Sequence, residues 1–222
     1  MDMNLNVDLM INSLPLLIAG AGITIQITAI SVGLGLIIGM FVGIARISNV
    51  KLLRWLAAIY IDFLRGTPLL VQIFLIYFAL PVLLGQRVDP FIAAITACGI
   101  NSGAYIAEIF RAGITSIDAG QFEAGRSLGF NYVQTMTHII IPQAFKNVLP
   151  TLCNEFIVLL KETSVAGYVG VVDLTKAGDM IRGRTFSAFM PLIAVALIYL
   201  VLVIVLTALV RRLERRLNKS ER

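Results

Sequence analysis

Cys98, Asn101, Tyr105 and Glu108 stand three, four and three residues apart in an otherwise apolar stretch, a spacing that lays them on one helical face. Thr151, Glu155 and Glu162, at spacings of four and seven, share a second face. Groups of these types bind and solvate. Converging at an interface, the two stripes would line a hydrophilic route with excess negative charge. A charged side chain at the centre of a bilayer costs roughly 2.5–3.5 kcal/mol, so such residues turn towards a cavity or a partner. Glu108 has Arg111 three residues on, and a local ion pair accounts for it without a ligand. Glu155 has no Lys or Arg three or four residues away. Two readings stand for it: a hydrogen bond to a neighbouring helix, or pairing with a cationic group on a ligand. Gln72 and Asn101 offer donors and acceptors for a ligand's own polar groups, and Glu162 is open to a structural or a path-lining role.

Covalent chemistry finds no support. An intramembrane hydrolase needs a Ser–His or paired-Asp constellation at membrane depth, and neither is visible. His138, the single histidine, has no acid or thiol placed beside it in sequence. Cys98 and Cys153 each lie in an apolar segment and read as packing thiols, not as a disulfide or a metal pair. No G-x-x-x-x-G-K-[ST] phosphate loop occurs, so energy from ATP must reach this chain through a partner. The run GLGLIIG echoes a dinucleotide loop but sits inside an apolar helix with no strand before it.

The elements that carry these residues are membrane spans. The chain is 58% hydrophobic and 14% charged, against roughly half and a quarter in soluble domains. Residues 188–210 hold no charge, and at about 1.5 Å per residue they cover the roughly 30 Å of a bilayer core. Five spans are expected, over residues 14–45, 57–84, 90–112, 146–162 and 188–210. The net charge of +5 suits a lipid surface better than nucleic acid, because six of the 18 basic residues fall in the last twelve positions, RRLERRLNKSER. That tail places the C-terminus in the cytoplasm; with five spans, the N-terminus lies outside. The opening MDMNLNVDLM has no basic residue and does not read as a cleaved leader. Residues 163–186 then lie outside, against the bias of Lys176, Arg182 and Arg184. Arg65-Gly66-Thr67-Pro68 interrupts the second span, which implies a bend or a helix start near the cytoplasmic face. Gly35, Gly39 and Gly43 repeat on one face of the first span, where a second helix can approach closely.

Between the third and fourth spans, residues 113–145 form a cytoplasmic loop with a short helix from Ala119 to Leu128, ended at Gly129 by a left-handed turn. Glu123, Ala124, Gly125 and Ser127 make a small-residue surface with one carboxylate. By pattern alone it is either a plug for a partner's groove or an ordinary interfacial helix.

The run Glu123-Ala124-Gly125-x-x-x-Gly129, followed by Ile140-x-Pro142, resembles the EAA loop of ABC importer permeases. Asp62-Phe63-Leu64-Arg65-Gly66-Thr67-Pro68-Leu69, Ala104-Tyr105-Ile106-Ala107-Glu108-Ile109-Phe110-Arg111 and Leu160-Lys161-Glu162-Thr163-Ser164 are similar to the polar amino acid subfamily, the histidine/glutamine/arginine type. The resemblance runs from about residue 13 to 213, with Gly125 where the family usually has alanine. It implies an all-α type I permease fold forming one transmembrane domain over residues 1–222, in a bacterial inner or plasma membrane. It also implies two ATP-binding subunits carrying ATP and Mg, a second permease subunit, and an extracytoplasmic amino-acid-binding protein. Glu123, Ala124, Gly125, Ser127 and Gly129 would couple to the ATPase. Glu155, Asn101, Gln72, Tyr105 and Cys98 would meet a polar L-amino acid. Glu155 favours a cationic one such as arginine, lysine or histidine; a neutral or acidic one such as glutamine or glutamate is the alternative. No cofactor is expected in this chain. A gradient-driven secondary transporter is the rival, although five spans are few for one and no inverted repeat is evident.

Overall fold

A computed structural model describes residues 7–218, with side chains from 11 to 212, and these residues form helices joined by short turns with no strand among them. The acidic N-terminal stretch and most of the basic tail, which carry the charge argument for orientation, lie outside the described side chains. The first helix, α1 (Val7–Ile47), runs beside α5 (Pro90–Thr115) in the same direction. Glycines set their separation. A Cβ on Gly39 would come within 2.7 Å of the Ile106 Cβ, and one on Gly35 within 2.9 Å of the Ser102 Cβ. Gly103 on α5 returns the arrangement, facing Ile38 at 2.7 Å. Between apolar helices in lipid, van der Waals contact at such range is the main attraction. Gly39→Ala should therefore overpack the seam and destabilise the solubilised protein by about 1–3 kcal/mol. Gly33→Ala, with nothing within 4 Å, should leave its thermal midpoint unchanged.

After α1 the chain reverses into α2 (Lys51–Gly66) and breaks. The helices that follow, α3 (Leu69–Phe74), a π turn over Leu75–Ala79 and α4 (Leu80–Leu84), leave the α2 axis at 106°. The break expected at Arg65-Gly66-Thr67-Pro68 is present, and it meets Asn101, close to the middle of α5.

The loop helix is α6 (Ala119–Ser127), and after a turn α7 (Tyr132–Thr135) continues through a π turn at Met136–Ile140 into α8 (Ile141–Glu162). A 3-10 segment, Thr163–Val169, leads to α9 (Leu174–Thr185), and α10 (Phe189–Asn218) closes the bundle. Among the described residues three helices are long and apolar enough to span a membrane: Ile11–Ile47, Pro90–Thr115 and Phe189–Arg212, with the bent pair of α2 and α3–α4 as a fourth candidate. The helix expected as the fourth span, α8, fails that test because Lys146, Asn147, Asn154, Glu155, Lys161 and Glu162 all lie on it.

Residues 163–186, expected as an outer segment, are built into the bundle. Ala166 and Val169 join Ile27, Ile73, Cys98 and Leu159 in one core cluster. Leu174, Ala177 and Ile181 pack with Leu17, Ala21 and Val195 in another. Fully buried Asp173 caps α9, accepting from the backbone N–H groups of Thr175 and Lys176 at 3.2 and 2.9 Å. Thr24 of α1 accepts from the Leu174 N–H, which fastens this turn to the first helix. The basic residues that sat awkwardly here are partly answered locally. Arg182 donates to Asp179, and its guanidinium holds that carboxyl below the usual range, while Lys176 lies 3.6 Å away.

Candidate translocation site

The break in the second span sets the geometry. Pro68 has no N–H to give to the Leu64 carbonyl four residues back. At membrane depth no water replaces it, so side chains must. Gln72 Nε2 donates to Leu64 O at 2.8 Å, to Thr67 O at 3.1 Å and to Thr67 Oγ1 at 2.9 Å. Asn101 Nδ2 donates to Leu64 O at 3.3 Å and to Gln72 Oε1 at 3.0 Å. Gln72 and Asn101 are 5% and 2% exposed. Their amides thus brace the corner, and among the described residues Asn101 Oδ1 and the neighbouring Ser102 Oγ stay buried without a hydrogen-bond partner.

Beyond the corner, the end of α2, the C-terminal half of α5 and the start of α8 line an open cavity of about 330 Å³, whose wall includes Arg65, Tyr105, Glu108, Asn147 and Thr151. Arg65 is exposed to it, its guanidinium carbon 5.1 Å from the centre of the Tyr105 ring. Among the described residues no carboxylate forms an ion pair with Arg65. An arginine at this depth needs a partner, and the aromatic face supplies only a fraction of one. Glu108 is committed to Arg111, which donates to it at 2.6 Å and 3.0 Å. Glu155 lies one turn past Thr151 on α8, 9% exposed, with no hydrogen bond to its carboxylate among the described residues. Glu162 and Arg65 are the charged groups within its electrostatic reach.

The structure thus divides the first polar stripe. Cys98 is fully buried in the core. Asn101 braces the broken helix, Tyr105 and Glu108 line the cavity, and the carboxylate at Glu108 is already paired. Arg65 is the residue that sequence reasoning missed. It read as part of a helix break, although a basic residue before Gly-Thr-Pro inside an apolar run was itself a signal.

At the end of the bundle marked by the last turn of α5, α6 stands out from the protein. Asp118 Oδ1 caps it by accepting from Gly120 N at 2.7 Å. Glu123, Ala124 and Ser127 are exposed, and Gly129 closes the helix with φ of 84°. Gly125 faces the other way, buried; a Cβ there would meet the Thr135 Cγ2 at 2.8 Å and Ile139 Cδ1 at 3.0 Å. The glycine therefore does more than weaken the helix, because it lets α6 seat against α7 and its π turn. Gly125→Ala should tilt α6 and lower the thermal midpoint of the solubilised protein, with a packing cost of about 1–3 kcal/mol.

A helical bundle with one span broken beside a charged cavity, and a short exposed helix on a loop, is the architecture of a transport subunit. The chain belongs to the family of binding-protein-dependent transport system inner membrane components, whose model matches residues 35–219. It is 40% identical over 219 residues to the arginine transport system permease protein ArtQ of Bacillus subtilis (strain 168), covering 99% of this chain and 100% of that one. It is 42% identical over 207 residues to the glutamine transport system permease protein GlnP of Escherichia coli (strain K12), covering 93% and 94%. Its fold superposes on the crystal structure of an amino acid ABC transporter with histidines at a TM-score of 0.92, with 42% identity and coverage of 96% and 100%. The chain is therefore a multi-pass inner-membrane permease subunit of an amino acid ABC importer, with the type I permease fold. It is not an enzyme; ATP hydrolysis belongs to a separate chain.

Proposed function

We propose that this permease carries a cationic L-amino acid, arginine, lysine or histidine, and holds it at mid-depth between Glu155 and Arg65. One observation carries the reading: among the described residues Glu155 is a nearly buried carboxylate without a hydrogen-bonding partner, and it lies within electrostatic reach of Arg65, an arginine without an ionic partner that lines the cavity with Tyr105 and Thr151. The substrate's α-carboxylate pairs with Arg65 in a charge-assisted contact, and its cationic side chain pairs with Glu155. Tyr105 and Thr151 border the polar middle of the ligand. The cavity volume falls at the lower end of the range for small-molecule sites, which suits one amino acid. The arginine permease among the relatives supports this reading. The glutamine permeases favour the second one, a neutral substrate such as glutamine.

In this reading α8 is the fourth of five crossings, shielded from lipid by the bundle and a second copy of the chain. The N-terminus lies outside and the C-terminus in the cytoplasm. Glu123, Ala124 and Ser127 enter a groove on each of two ATP-binding subunits, which bind ATP and Mg, and Gly125 and Gly129 shape the helix. A binding protein delivers the amino acid from outside. Reconstituted with these partners, the protein should take up labelled arginine only when ATP is present. Arg65→Gln should lower uptake of every amino acid it carries by about tenfold or more, since all share the α-carboxylate. Uptake unchanged in that variant removes Arg65 from the site.

A further inference from the structure

The junction of α1 and α2 gathers three cations around one cleft. Arg46 near the end of α1 and Lys51 and Arg54 at the start of α2 line it with Leu52, Trp55 and Ala58, and it is shallow and open to its surroundings. No carboxylate contributes to the wall, and neither Lys51 nor Arg54 has an acidic partner among the described residues. Glu108 reaches Arg46 electrostatically but is itself bound to Arg111. Trp55, the chain's single tryptophan, is 60% exposed beside the cations. Leu52, Leu53, Leu56 and Ile59 extend an exposed apolar strip along α2. Tryptophan rings and basic side chains both collect where hydrocarbon meets headgroups. Three close positive charges with no counter-charge repel one another, and a bound anion relieves that repulsion.

We propose that this cleft binds the headgroup phosphate of an anionic phospholipid, whose acyl chains lie along the exposed strip of α2. Arg46 and Arg54 donate to the phosphate oxygens, and Lys51 adds a compact charge. The bound lipid steadies the half-helix whose far end carries Arg65, so it ties the composition of the inner leaflet to the geometry of the mid-depth site. The lipid site does not depend on which amino acid is carried.

Fluorescence quenching in the reconstituted complete transporter tests this. The Trp55 signal is isolated by subtracting that of a Trp55→Phe transporter. Brominated phosphatidylglycerol should quench it at about tenfold lower mole fraction than brominated phosphatidylcholine. The triple change Arg46→Gln, Lys51→Gln and Arg54→Gln should erase that preference. Should the triple variant not assemble, Arg54→Gln alone must still weaken it. Equal quenching by the two lipids in the unaltered protein, or an unchanged preference in the variants, overturns the proposal. Relief of quenching by inorganic phosphate assigns the cleft to a soluble anion and overturns it as well. So does loss of the ATP-binding subunit from the triple variant with lipid preference intact, which assigns the cations to a protein partner.

Discussion

Glu155→Gln is expected to cut arginine uptake by about a hundredfold, while the purified transporter keeps its ATP-binding subunit. The side chain keeps its size and polarity and loses only its charge, so folding and docking are spared. On the proposed reading, what disappears is a nearly buried charge pair with the substrate, and breaking such a pair costs about 3 kcal/mol or more. Uptake of glutamine, if any is carried, should fall far less, because a neutral amide does not require the carboxylate. That contrast separates a specificity role from general damage. Parallel losses for arginine and glutamine would make Glu155 structural, with its carboxylate serving a neighbouring helix.

Gln72→Leu should have the second large effect, on assembly more than on specificity. One amide nitrogen serves three oxygens at the broken span, and leucine serves none. Each buried carbonyl left without a donor costs about 1–3 kcal/mol, and lipid offers no water to repair it. Asn101 still reaches Leu64 O at 3.3 Å but loses its contact with Gln72 Oε1 at 3.0 Å. The solubilised protein should therefore lose thermal stability by several kcal/mol, and adding Asn101→Leu should cost less than the sum of the separate changes. Simple additivity in thermal unfolding would show that the two amides do not act as one brace.

How much of this was legible in the sequence depends on whether the cause was local. The apolar run at 188–210 and the long first span needed only composition, and the structure shows both as helices. The turn at Gly129 needed one residue with a positive φ, and it has one. The glycine face of α1 was readable from its period, although nothing along the chain showed that α5 would meet it. The bracing of the break at Gly66-Thr67-Pro68 was not readable. It follows from an amide 29 residues further on than Gln72 closing the corner, a tertiary fact without a local signature. The packing of residues 163–186 was not readable for a related reason: the buried cap at Asp173 and the small residues Gly20 and Ala177 let that segment pack on α1, a long-range contact without a local signature. The polar stripe on α5 obeyed helical spacing and yet faced two surroundings, because α2 and α3 cover its upper half and leave the lower half open.

Competition for ATP-driven uptake puts the central claim to the most direct trial. The transporter is reconstituted with its ATP-binding subunit and binding protein, and labelled arginine is offered against unlabelled lysine, histidine and glutamine. A cationic site bounded by Glu155 and Arg65 predicts uptake that stops without ATP and is suppressed by lysine or histidine well before glutamine. Glutamine outcompeting the basic amino acids would contradict that assignment, and arginine uptake that continues in the absence of ATP would contradict coupled import.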